Sequence, residues 1–367
     1  MVSRQDANIA RQPLGDGVSP PAGGRPRRVV IVGNASVEHL GAHLLAGAPN
    51  AGIEATIVDM RDSWSGNKLL DRINFHLLRR RPTLLRSFSE RVVATCAVSR
   101  PDLLLATGIS PLSASALRKI GRLGIRRANL LTDDPWNRAK GAGFFWDALR
   151  EYDTVFTPRT SNIGDLRAFG CSDVQHILLA YNPEIHFIEH PATEEERRRV
   201  ACEVAFVGGG DEARRHLVTE LLRSGLDLKL YGGYWDRFAN TRAYHQGFAI
   251  GRDLRLAVSG GFVNLCMGRA ANRDQHAMRT FELPAMGACM VVEDSAEHRD
   301  VFGPEGECVY YYRTASDIVR HVRALQRNPE RARHAAAVVH QRICNGQNTY
   351  AMRLRAMFDR TTAITCH

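Results

Sequence analysis

The feature that most limits what this chain can fold into is a set of short apolar runs, each closed by a turn and followed by a stretch of helical period. The first is RRVVIVGN, residues 27–34. A run that is apolar without alternation reads as a strand buried on both faces, as in a parallel sheet with helices on either side. GIEATIVDM, PDLLLATG, RRANLLTDD, YDTVFTP and VQHILLA repeat it, with helices expected at 37–45, 68–98, 113–122 and 161–169. Such alternation builds a doubly wound α/β lobe.

The pattern then fails and restarts. AYNPEIHFIEHPATEEERRR has no hydrophobic period and carries two prolines, which marks a connection between lobes. EVAFVGGGDEARRHLVTELLRSGLDLKLYGG begins a second series of strand, glycine loop, helix and strand. Its later strands are GGFVNLCM, ACMVVED and CVYYY, with helices expected at 278–286 and 316–326 and one or two more within 329–358. The expected organisation is therefore a disordered tail at 1–26, a Rossmann-like lobe at 27–182, a linker at 183–200, a second Rossmann-like lobe at 201–345 and a terminal helix at 346–367. A length of 367 residues fits two cores better than one.

With 44% hydrophobic and 24% charged residues, the chain has the composition of a globular enzyme rather than a disordered or fibrous protein. It has neither an apolar window of about 18 residues, as a membrane span needs, nor the apolar core of a secretory signal near its start. A cytoplasmic location is expected. Eight cysteines without a CxxC pair argue against a disulfide framework and a zinc knuckle, and Cys266 and Cys289, within apolar runs, are expected to be buried thiols.

The net charge of +10 points to an anionic partner: a nucleotide, a nucleic acid or an acidic membrane face. The basic residues are scattered rather than interleaved with aromatics, so no specific nucleic acid is expected. KLLDRINFHLL, followed by Arg79, Arg80 and Arg81, has the apolar spacing to meet acidic head groups, and a peripheral contact at the inner membrane face is one expectation.

A dinucleotide fingerprint needs GxGxxG after the first strand. VVIVGNASVEHLG has one loop glycine, and FVGGGDEARRH lacks the third at its spacing, so a NAD-dependent reading is rejected. Gly208, Gly209 and Gly210 still let the backbone approach a ligand, and the following helix offers free N–H groups to an anion. Arg214 and Arg215 at that positive helix end call for a compensating negative ligand; the other reading is a tight turn with solvated arginines.

In DQHAMRTFELPAMGACMVVED, residues 274–294, Pro284 is best tolerated in a first helical turn, which places the helix start near Thr280. Thr280 then serves as N-cap, with the following N–H groups aimed at a phosphate. Arg279 at the same end is a phosphate ligand, and Glu282, with acceptor oxygens only, suits ribose hydroxyls. A buried Arg279–Glu282 pair bracing the helix end fits the residues equally well. His276 either contacts the donor or is a solvated or capping group.

TDDPWN ends a strand of the first lobe on its carboxyl side, where open α/β sheets hold ligands. Asp133 and Asp134 are expected at the cleft, one as general base if the reaction inverts, with Trp136 stacking on a sugar face and Asn137 beside it on the acceptor side. An Asp-Pro turn is the other reading.

From Phe206 onward the chain resembles the CgeB-like glycosyltransferases, a group within the GT-B superfamily, in AFVGGGDEARRHLVTELL, LKLYGGYW, FVNLCM, MRTFELPAMGACMVVED, FGPEGECVYYY and NTYAMRLRAMF. PDLLLATG and LLTDDPWN in the first lobe are similar too, and RTFELPAMGAC is the most specific block. The resemblance implies a GT-B fold, with two Rossmann-like lobes facing a central cleft. It implies transfer of a sugar from a nucleotide-diphosphate donor to a glycan, lipid-linked or other hydroxyl acceptor.

Many retaining GT-B enzymes carry two acidic residues separated by seven, the second holding the ribose. Asp274 and Glu282 have that spacing, with Asp where the family places Glu. The resemblance further implies pyrophosphate on the 208–210 loop and at the helix start near Thr280, with Arg279 neutralising the charge that the leaving diphosphate gains. Neither a cofactor nor a metal is then required. In such enzymes the tail crosses back onto the first lobe, which makes Tyr350 and Arg353 structural. Two alternatives remain: a nucleotide-sugar 2-epimerase of the same fold, and a non-enzymatic basic protein binding nucleic acid or another polyanion.

Overall fold

The first six apolar runs pair side by side as β1 (Arg27–Gly33), β2 (Ile53–Asp59), β3 (Leu103–Thr107), β4 (Arg126–Leu130), β5 (Thr154–Thr157) and β6 (Val174–His176). A computed structural model describes residues 26–77, 80–137 and 141–363; most of the expected tail and Arg79 lie outside them. The strands form one parallel sheet in the order β2-β1-β3-β4-β5-β6. Every residue of β3 is buried, as a central parallel strand covered on both faces requires.

Helices α1 (Leu40–Ala51), α2 (Lys68–Leu77), α3 (Leu85–Ser99), α4 (Ala114–Arg122), α5 (Gly143–Leu149) and α6 (Ser161–Phe169) connect these strands. The tract expected as one helix over 68–98 is two, because Pro82 has no N–H to donate and disfavours helical backbone at the residue before it. Helix α1 starts later than expected. Residues 36–39 form a turn instead, in which the His39 N–H reaches Ser36 O at 2.9 Å.

The second sheet holds β7 (Cys202–Val207), β8 (Leu228–Tyr231), β9 (Gly261–Cys266), β10 (Met290–Glu293) and β11 (Tyr310–Tyr312), all parallel, in the order β11-β10-β9-β7-β8. Its helices are α7 (Glu194–Val200), α8 (Glu212–Arg223), α9 (Arg252–Gly260), α10 (Arg279–Ala285), α11 (Ala296–Phe302), α12 (Ala315–Arg327), α13 (Pro329–Asn345) and α14 (Tyr350–Thr362). The expected C-terminal helical tract breaks between α13 and α14, and α14 packs across α1 of the first sheet. A Cβ at Gly47 of α1 would lie 2.8 Å from Ala351 N, so the crossing needs glycine. Arg353 of α14 donates to Leu178 O at 2.8 Å and ties the crossing to the chain beyond β6.

Cys266 and Cys289 are buried free thiols, and burial pushes both up to about 12, so they stay protonated and inert. Among the described residues no helix is long and apolar enough to cross a membrane.

Candidate functional site

Parallel strands deliver the loops at their carboxyl ends to one edge, and here the two edges meet. The loop after β7 carries Gly208, Gly209 and Gly210. The Gly208 carbonyl accepts from Trp235 Nε1 at 2.8 Å, and a Cβ at Gly232 would sit 2.7 Å from that same carbonyl oxygen. Close packing of this loop on the turn after β8 therefore already requires glycine. Gly209 is half-buried and faces Arg269, whose Nη2 would lie 3.3 Å from an added Cβ.

Asp211 caps α8 by accepting from the Arg214 N–H at 3.0 Å, so the helix end has its negative partner within the chain. The Arg214 guanidinium is buried, donating to Gly209 O at 3.0 Å, Met267 O at 2.8 Å and Gly268 O at 3.2 Å. It clamps the glycine loop to the loop after β9. Arg215 turns away to Glu212.

Glu282 of α10 is 1% exposed. One carboxylate oxygen accepts from Arg279, and the other lies 3.6 Å from His186 Nε2. Burial works to raise its pKa; Arg279, then His186 and His43, outweigh that and hold it below the usual carboxylate value. His186, in the segment before α7, takes the Asn182 N–H on Nδ1 at 3.0 Å, so its proton is on the Nε2 facing Glu282. His43 comes from α1, stacks on Tyr350 at 5.1 Å and has a buried Nδ1 without a hydrogen-bond partner. Burial lowers both histidines, His186 to about 4, so both are uncharged at neutral pH. A cavity of about 30 Å³ lies against Glu38, His43, His186, Arg279 and Glu282, with both lobes in its wall. Arg279 donates to Val207 O at 3.1 Å and keeps its side chain 28% exposed.

His43, His186 and Glu282 have the composition of a metal site, with their ligand atoms within 4.8 Å of one another. They do not fit one. A metal on His186 Nε2 would require its proton to move to Nδ1, which faces the Asn182 N–H, and Arg279 already occupies the carboxylate.

Elsewhere the lobes meet through a polar seam. Asp134 is 1% exposed and accepts from Asn162 at 3.0 Å, the Trp136 N–H at 3.0 Å and Arg273 at 2.6 Å. Asp133, half-buried, accepts from Asn272 at 3.0 Å, and Asn137 donates to the same Asn272 at 2.6 Å. Asp274 is paired with Arg159 at 2.6 Å across the lobes and accepts the Arg269 N–H at 3.1 Å. Arg159 also donates to Thr132 O at 2.8 Å, so one guanidinium holds the TDDPWN loop and the loop after β9 together. Trp136 lies edge-on to Trp146 at 5.2 Å and is 36% exposed.

The start of α10 differs from expectation. The helix begins at Arg279, and Thr280 is a buried helical residue, not the N-cap. Its hydroxyl accepts the Ala277 N–H at 3.0 Å and donates to His298 Nε2 at 2.9 Å, because the preceding turn buries it instead of leaving it at the helix mouth. His276 is likewise buried rather than solvated. Its Nε2 accepts the Leu179 N–H at 3.3 Å while its Nδ1 donates to Glu297 at 2.6 Å. Burial raises Glu297, but bonds from His276 and Thr160 prevail and hold it at about 2. Burial lowers His298 to about 4.

The structure thus brings Arg279 and Glu282 to one cavity, with Arg279 reaching Val207 O just before the glycine loop, and Asp133, Asp134, Asn137 and Asp274 to the seam; the glycine loop and Arg214 are not in the cavity wall. Sequence reasoning missed His43, His186, Arg159, Asn272 and Arg273. The carboxyl-end rule that selected Asp133 applies equally to Arg159 after β5 and to the loop after β9. His43 carries no such signal, since it sits on the buried face of α1.

Residues 213–359 match the model of the glycosyl transferase-like family. No curated protein matches the chain. Among solved structures, the sucrose-phosphate synthase of Thermosynechococcus elongatus superposes with a TM-score of 0.65 at 10% identity, covering 92% of this chain and 100% of that one. The Anabaena protein HepE, in complex with UDP and glucose, gives 0.60 at 9% identity over 92% and 99%. A protein assigned as a UDP-N-acetylglucosamine 2-epimerase from Listeria monocytogenes gives 0.52 at 14% identity over 92% and 96%. The fold is GT-B, with a glycosyl transferase-like region in the second lobe.

Proposed function

We propose that this protein is a glycosyltransferase that moves a sugar from a nucleoside-diphosphate donor to a hydroxyl acceptor, glycan or lipid-linked, and that it belongs to the CgeB-like group. The observation that carries the reading is Glu282: a buried carboxylate with a half-open counter-ion, at the edge of a cavity walled by both lobes, where the strands of a GT-B fold end. HepE, of the same fold, is described with UDP and glucose.

In the proposed mechanism the ribose hydroxyls donate to Glu282, and Arg279 swings from that carboxylate to the diphosphate. As the glycosidic bond breaks, negative charge gathers on the leaving diphosphate. Arg279 in its new position, Arg269 and the Gly209 backbone N–H stabilise it. Asp134 is buried and held by three donors, Arg273 among them, whereas Asp133 is half-buried, so if the reaction inverts we assign the role of general base to Asp133. Asp274 and Arg159 hold the lobes at working distance.

Calorimetric titration with UDP, GDP, dTDP, ADP and CMP tests the reading. One nucleotide binds, and Glu282→Ala removes the binding; if none binds and the variant changes nothing, the reading fails. NMR of a nucleotide sugar with enzyme alone separates the 2-epimerase of the same fold, which yields a new sugar isomer, from a transferase, which yields only slow hydrolysis.

A further inference from the structure

Helix α2 turns an aliphatic strip to the outside. Leu69, Leu70 and Ile73 are 68%, 49% and 42% exposed, and their spacing places all three within about 100° of the helix circumference. Arg72, on the flank, is exposed as well. The Thr83 hydroxyl donates to Asp71 of α2, which folds the turn carrying Arg81 and the 39% exposed Leu84 back against the helix. Asp71 accepts from Thr83 and from Ser65, the latter at 2.8 Å.

Helix α7 shows what an ordinary solvated basic helix looks like in this protein. Its arginines pair along the helix, Arg197 with Glu194 at 3.3 Å and Arg198 with Glu194 at 3.2 Å, and its exposed residues include no large aliphatic side chain. The α2 surface has the opposite composition: aliphatic groups in water and a basic flank. It also has a telling position. β2 is the edge strand of the first sheet, and α2 follows the carboxyl end of β2, where Arg61 joins Asp59 to Ser36 in the loop after β1. The strip therefore belongs to the first lobe, on a helix that follows the carboxyl end of its edge strand.

We propose that this strip docks the first lobe onto an anionic lipid bilayer, with Leu69, Leu70, Ile73 and Leu84 in the boundary between head groups and acyl chains and Arg72 and Arg81 on lipid phosphates. An apolar face with basic neighbours and no membrane span is the composition of an interfacial anchor. Docking there brings the first lobe to an acceptor carried on the same surface. That acceptor class rests on the glycosyltransferase reading, whereas the docking itself does not.

The test is co-sedimentation of the full chain with vesicles of phosphatidylcholine, with and without phosphatidylglycerol, at low and moderate salt. The protein binds the anionic vesicles and not the neutral ones, and salt weakens the binding. Leu69→Glu with Ile73→Glu lowers binding at least about tenfold, and Arg81→Glu lowers it about fivefold. Both variants keep the wild-type Tm and nucleotide titration, which separates failure of docking from failure of the donor reading. Absent vesicle binding, or equal binding by wild type and the double variant, overturns the proposal. So does a concentration-dependent dimer that the double variant abolishes while wild type ignores vesicles, since the strip would then be a self-association face.

Discussion

The two places where charged side chains join the lobes are built in opposite ways. Along the seam the carboxylates take partners from the far lobe: Asp134 from Arg273, Asp274 from Arg159, Glu297 from Thr160. At Glu282 the counter-ion is Arg279, three residues away on the same helix, and what the first lobe contributes is the uncharged ring of His43. Were the lobes to part, the seam would lose these bonds, while Glu282 would stay neutralised by a partner on its own helix. A buried carboxylate can exchange partners for a ligand only if it is not left bare during the exchange. The seam is therefore a latch, and under the proposed function the Glu282 contact is where the donor exchanges.

Cutting the latch gives the largest effect. Arg159→Ala leaves Asp274 buried and uncompensated, and urea unfolding should show a loss of about 3–5 kcal/mol, most of it recovered in Arg159→Met with Asp274→Leu. The cavity should behave otherwise. Glu282→Gln is expected to lower kcat/KM about 100-fold, roughly 2.7 kcal/mol, with a much smaller change in stability because Arg279 can turn to water. If its stability cost matches that of Arg159→Ala, the Arg279–Glu282 pair is a brace and the comparison collapses.

Acid probes two histidines that burial lowers to about 4: His186 beside Glu282, and His298 on the Thr280 hydroxyl. Between the unfolded value of about 6.5 and that folded value the unfolded chain binds the extra protons, so stability is complete above the upper limit and falls as pH drops toward 4. Each histidine contributes a slope of up to about 1.4 kcal/mol per pH unit, and His298→Asn should remove one share of it in thermal melts across that window. The smallest effect is at Trp136, half outside both contacts: Trp136→Ala should raise the acceptor KM about fivefold, near 1 kcal/mol, and leave Tm unchanged.

Much of this arrangement was legible in the residues. Continuous apolar runs located the strands of both sheets, and the prolines near residue 183 and the glycine loop at 208 marked where one series ended and the next began. Arg279 and Glu282 were legible as a pair, though not whether they brace a helix or hold a ligand. Thr280 was misread because a cap and a buried threonine share the same local sequence, and only the ring of His298 on the hydroxyl tells them apart. Pro82 was visible but passed over, since the hydrophobic period continues across it.

By itself the sequence determined which segments are strands and helices and which faces they bury, because period and apolar content are local and act over a few residues. The tertiary structure alone decided which polar groups far apart in the chain become partners. Arg159 meets Asp274, and Asn137 meets Asn272, across chain separations of 115 and 135 residues. No periodicity encodes such a distance: electrostatic partners are set by where two folded edges come together and by how much water they exclude, and that exists only once both sheets are formed.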